Sequence, residues 1–126
     1  MNKKKILIVD DEAGIVQEIK EFLEEEGYEV HTADTAKVGN QKVEELQPDV
    51  ILIDVKLPDA SGTEVLRVCK EKSPGTKTIM VTGYVDQGVM DEAELIGRDT
   101  FLQKPFDLVR ITEEIEKLLN VSSGRR

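Results

Sequence analysis

The 126-residue chain holds one cysteine, one histidine and no tryptophan. A lone thiol excludes an internal disulfide framework and a cysteine-based zinc site. Cys69 falls on an apolar helical face beside Val65 and Leu66, which marks it as a buried structural thiol rather than a nucleophile. His31 would need carboxylate partners to hold a metal, and none is supplied near it at suitable spacing, so it reads as a half-exposed strand residue. No apolar run approaches the roughly 20 residues of a membrane-spanning helix. After the basic Lys3-Lys4-Lys5 only residues 6–9 precede two aspartates, too short a core for a signal peptide. A cytoplasmic protein with no membrane contact is therefore expected. The formal net charge of -9 argues against a nucleic-acid or anionic-membrane binder. Part of that acidity is the run Glu24-Glu25-Glu26, a solvated helix face.

With 39% hydrophobic and 34% charged residues, the composition is that of a globular chain. The length suits one domain with a single real core, here placed at residues 1–121, with 122–126 as a flexible tail or the start of a linker. The organising stretch is Val50-Ile51-Leu52-Ile53-Asp54. A run this short and apolar reads as a strand buried on both faces, as in a parallel sheet, ending in a carboxylate. Ile6-Leu7-Ile8-Val9 runs into Asp10-Asp11 in the same way. Further strands are expected over 28–32, 77–81 and 99–102.

Between them the apolar spacing predicts helices over 13–26, 35–46, 62–72, 86–96 and 107–119. Gly27 and Gly97 stand as left-handed caps. Ser61 with Glu64 forms a capping-box pattern, and Asp107 an N-cap. Gly39 weakens the second helix. Five strands alternating with five helices demand an α/β fold: a doubly wound parallel sheet with right-handed crossovers and helices on both faces. The strands' carboxyl ends then share one edge, where such sheets place their ligands.

That edge would gather Asp10, Asp11 and Asp54, together with Thr82 and Lys104, each of which follows an apolar strand. Two carboxylates about 4 Å apart repel by roughly 4 kcal/mol at an effective dielectric near 20. A hard divalent cation relieves this, and Mg²⁺ typically binds through one or two carboxylates, waters and a phosphate. Lys104 offers a point charge to a phosphoryl oxygen or, without one, to Asp54. Thr82 offers a hydroxyl to the same group or caps the following loop. Pro105 permits a cis Lys104–Pro105 bond that would aim the lysine into the pocket.

The set Val9-Asp10-Asp11-Glu12, Asp54 with Leu57-Pro58 and Gly62, Thr82-Gly83 and Lys104-Pro105-Phe106 resembles the receiver domain of bacterial two-component response regulators, over about residues 4–119. The resemblance implies the flavodoxin-like strand order 2-1-3-4-5. It makes Asp54 the acceptor of a phosphoryl group from a sensor histidine kinase or phosphotransfer protein. Asp10, Asp11, Asp54 and the Lys56 carbonyl would hold Mg²⁺, and Thr82 and Lys104 would take the phosphoryl oxygens. It implies a switch through Thr82 and Phe101 that remodels the face of the fourth helix, fifth strand and fifth helix. That face would meet a downstream protein and allows a phosphorylation-dependent dimer.

Lys56 and Tyr84 would tune the phosphoryl lifetime, Tyr84 by shielding the acyl phosphate from water. Self-catalysed phosphorylation and slow dephosphorylation are implied, not conventional turnover. Ala13, the loop Asp59-Ala60-Ser61 and Arg98 depart from the commoner family pattern. With few residues beyond the last helix, either a stand-alone regulator or a domain of a longer protein is expected. Three alternatives compete. A Mg²⁺-dependent aspartyl-phosphate phosphohydrolase lacks its second acid in Asp54-Val55-Lys56. A flavin module would find Asp10-Asp11-Glu12 repelling its phosphate. A degenerate receiver would act only as an interaction domain.

Overall fold

Strands with apolar side chains on both faces need cover on both faces, and the chain supplies it by alternation. The computed structural model describes residues 3–83 and 86–119. In order, the elements are β1 (Lys5–Val9), α1 (Ala13–Glu25), β2 (Glu29–Ala33), α2 (Ala36–Leu46), β3 (Val50–Asp54), α3 (Gly62–Lys72), β4 (Lys77–Thr82), α4 (Gln87–Ile96), β5 (Thr100–Gln103) and α5 (Leu108–Leu119). The sheet order is β2-β1-β3-β4-β5 and every pairing is parallel. This is the doubly wound arrangement that the sequence predicts.

Period-2 alternation sorts the strands' side chains to two cores. Ile6, Ile8 and Leu52 pack with Ile19 and Leu23 of α1 and Ile111 and Ile115 of α5. Leu7, Val9, Ile51 and Ile53 face the other way, onto Val43 of α2, Leu66 and Cys69 of α3 and Ala93 of α4. Each fully buried Ile or Leu contributes roughly 2 kcal/mol. Cys69 has no exposed surface, and burial pushes its thiol up to about 12, the inert structural role expected of it.

Helix ends follow the expected chemistry with small shifts. Gly27 and Gly97 adopt φ of +98° and +110°. Asp107 caps α5 by accepting from the Arg110 N–H at 2.8 Å. Ser61 caps α3 through the Thr63 N–H at 3.2 Å. Gly39 is explained by packing: a Cβ there would stand 3.0 Å from Val9 Cγ1, so α2 lies directly on β1.

Two strands start one residue later than predicted. Tyr28 is spent on the α1–α5 side core. Asp99 is drawn instead to Thr78, whose N–H donates to Asp99 Oδ2 at 2.9 Å. His31 on edge strand β2 is half-buried and pairs with Glu29 at 2.7 Å. The expected tail at 122–126 lies outside the described residues. No described helix is long and apolar enough to cross a membrane.

Candidate functional site

Parallel pairing brings the ends of β1, β3 and β4 to one edge. Asp10 directly follows β1, Asp54 ends β3 and Thr82 ends β4. All three are buried, at 7%, 7% and 3% exposure. Two backbone clamps fix the acids: Asp10 Oδ1 accepts from the Glu12 N–H at 2.9 Å, and Asp54 Oδ1 from the Lys56 N–H at 3.1 Å. Lys104 arrives from beyond β5. Its N–H donates to the Thr82 carbonyl at 2.7 Å, and its bond to Pro105 is cis.

The Lys104 ammonium lies 3.1 Å from Asp10 Oδ2 and 3.3 Å from Asp54 Oδ2, and it also pairs with Glu12. Asp10, Glu12 and Asp54 each present a carboxylate oxygen within 4.8 Å of the others. An open pocket of about 350 Å³ sits above them, lined by Asp11, Lys56, Leu57, Thr82 and Gly83 as well as Glu12, Asp54 and Lys104. Below, Ile8, Leu52, Val81 and Phe106 wall Asp10 and Asp54 from the core side.

The electrostatics follow from this crowding. Burial pushes the Asp54 carboxyl above its ordinary value; Asp10 adds to the rise, and the Lys56 N–H and Lys104 oppose it. Burial alone would depress the Lys104 amine. Its hydrogen bonds to Glu12 and Asp10 outweigh that, and it is held well above the usual lysine range. Three acids against one ammonium leave an uncompensated negative site made only of oxygen donors. That donor set fits a hard divalent cation of the Mg²⁺ type.

Of the residues singled out from sequence, Asp10, Asp54 and Lys104 meet directly, and Asp11, Lys56 and Thr82 line the same pocket. Asp11 is exposed and stands outside the tight acid cluster, where Glu12 is found instead. The chain bends at Asp11, and the Glu12 N–H folds back onto Asp10 Oδ1, which sets Glu12 beside Asp10. In the sequence Glu12 stands only within the Val9-Asp10-Asp11-Glu12 motif, and no local spacing marks it as a member of the acid cluster. Phe101 is half-buried opposite Met80 in the β4–β5 register. The Arg98 guanidinium lies 5.8 Å from its ring centroid. Tyr84 falls outside the described residues.

Comparison with known proteins agrees with this geometry. Residues 6–116 match the family described as response regulator receiver domain. Sporulation initiation phosphotransferase F of Bacillus subtilis is 32% identical over 124 residues, spanning 98% of this chain and 100% of that protein. A CheY-like response regulator receiver domain protein from Methanospirillum hungatei has a crystal structure that superposes with a TM-score of 0.91. It is 42% identical and covers 94% of this chain and 96% of its own. The beryllofluoride-activated NtrC4 receiver domain dimer superposes with a TM-score of 0.84 at 35% identity, covering 92% and 96%.

Proposed function

The chain belongs to the response regulator receiver domain family of two-component systems, and from that premise we propose that Asp54 is a phosphoacceptor. One observation carries the reading: the Asp54 carboxylate shares the Lys104 ammonium with Asp10, 3.3 and 3.1 Å away, in a pocket that Thr82 also lines. The Bacillus relative is named a phosphotransferase. The NtrC4 receiver is described as activated by beryllofluoride, an anion that mimics a phosphoryl group.

The donor is a phosphohistidine on a sensor histidine kinase or a phosphotransfer protein. An Asp54 oxygen attacks phosphorus, the P–N bond breaks, and the imidazole leaves with the electron pair and takes up a proton. The product is an acyl phosphate, covalent catalysis by a carboxylate. Asp10, Asp11, Asp54 and the Lys56 carbonyl would hold Mg²⁺, which supplies charge neutralisation and orientation when bound. Lys104 then turns from the carboxylates to a phosphoryl oxygen, and the Thr82 hydroxyl takes another. Positioning and charge compensation do the chemistry.

The resulting shift of Thr82 and Phe101 changes the surface of α4, β5 and α5, where a downstream protein or a second copy docks. Phosphorylation acts only through its preference for one of the two packings. Lys56 and Tyr84, two positions after Asp54 and Thr82 in the sequence, set the lifetime of the acyl phosphate. The protein works in the cytoplasm, as one receiver domain over residues 1–121.

Incubation with a small acyl-phosphate donor and Mg²⁺, followed by intact mass, tests the assignment. The expected result is a gain of one phosphoryl group in wild type and none in Asp54→Asn. No gain in wild type under varied donors and metal concentrations would instead favour a receiver that serves only as an interaction domain.

A further inference from the structure

Lys56, Leu57 and Pro58, on the loop between β3 and α3, form one wall of the acidic pocket. The base of that loop is closed: Lys56 bridges Ser61, and the Gly62 N–H donates to the Val55 carbonyl at 2.7 Å. Its tip reaches across to a different helix. Asp59 Oδ1 accepts from the Ala36 N–H at 2.8 Å, and Asp59 Oδ2 from the Lys37 N–H at 3.0 Å. These donors belong to the first turn of α2, where backbone N–H groups lack intrahelical partners. The bonds from Ala36 and then Lys37 hold the Asp59 carboxyl below the ordinary carboxylate range.

The helix has its own cap besides. Thr35 Oγ1 accepts from the Val38 N–H at 3.1 Å, the usual N-cap arrangement. The helix is also seated against the sheet, since Gly39 and Val9 leave no room for even a Cβ at ordinary contact distance. The anchor is therefore rigid, and the restraint falls on the loop.

We infer that Asp59 is a positioning residue for the pocket: it pins the tip of the β3–α3 loop to the start of α2 and so holds Lys56 and the Asp54 clamp in register for a cation. A loop tip in open water could satisfy a carboxylate with solvent. This one is spent on two backbone donors 22 and 23 residues away in sequence. The inference rests on the pocket being a Mg²⁺ and phosphoryl site.

Calorimetric titration of the metal-free full chain with MgCl₂ tests it without any phosphodonor. Asp59→Ala should weaken Mg²⁺ binding about tenfold, the low end of what partners outside the ligand set contribute. Asp59→Asn, which keeps one acceptor oxygen, should fall between that and wild type. Thr35→Ala is the control: it removes the helix's own cap, lowers the melting temperature and leaves Mg²⁺ affinity at the wild-type value. If Asp59→Ala binds Mg²⁺ as tightly as wild type, or Thr35→Ala weakens binding equally, the positioning role is wrong and the pocket reading stands. If the wild-type chain takes up no Mg²⁺, both fall.

Discussion

In the metal-free protein Asp54 is ionised at a cost, because burial and the neighbouring Asp10 both raise its carboxyl. A group whose pKa is raised by folding contributes stability that is present below its unfolded value and lost as pH rises through the folded one. Asp54→Asn should therefore unfold at a higher urea concentration than wild type at pH 7 without Mg²⁺. The gap should close as pH falls toward about 4, the unfolded carboxylate value. Lys104 keeps Asp10 and Glu12 in that variant, so the ammonium is not stranded.

Gly62 is the opposite case, a position set by contact rather than charge. A Cβ there would lie 2.2 Å from the Asp54 carbonyl oxygen, which is backbone and has little room to give. Gly62→Ala should cost about 2 kcal/mol by urea denaturation, within the usual range for overpacking, and should slow phosphoryl uptake. The sequence marked Gly62 only as one residue of the motif that carries the family resemblance, without its reason. The close approach is tertiary, between a helix start and a strand end, and no local pattern encodes it. Asp10, Asp54 and Lys104 were legible because each ends an apolar run that locates it. Asp59 stood in a departing loop with nothing to reveal its distant partners.

Among the helices, burial is uneven. From α3, Val65, Leu66 and Cys69 are all fully buried, whereas α4 buries only Ala93 fully and packs Ile96 against the core in part. Leu95 of α4 is 88% exposed. Local opening free energy follows such contacts. Backbone amides of α4 should exchange with deuterium faster than those of α3, read by mass spectrometry of peptides from each helix. Equal protection would show that α4 is held by something other than its core face.

Strand and helix types were legible because the central strands are short apolar runs ending in polar residues and the helices space their apolar residues at a period of about 3.6. Boundaries were not, where a side chain had a better use elsewhere. Asp99 leaves β5 to exchange hydrogen bonds with Thr78, its own N–H donating to Thr78 Oγ1 at 2.9 Å. Nothing in the apolar pattern of residues 99–102 forecasts that exchange.

For the molecule as a whole, the net charge of -9 and the crowded acids make a bound cation a stabilising ligand. At about 100 times its dissociation constant, Mg²⁺ should add roughly 2.7 kcal/mol to stability. Thermal melts with and without MgCl₂ check this, and no shift in wild type would mean that the acids do not hold the ion. Every strand of the sheet runs the same way, so the opposite rim lies a full strand length from the carboxylates. A reporter peptide spliced in beside the exposed Gly75 would ride there, on the lead-in to β4. A six-residue strand spans roughly 20 Å, and with that much sheet between graft and pocket the labelled protein should still take up phosphate at the native pace.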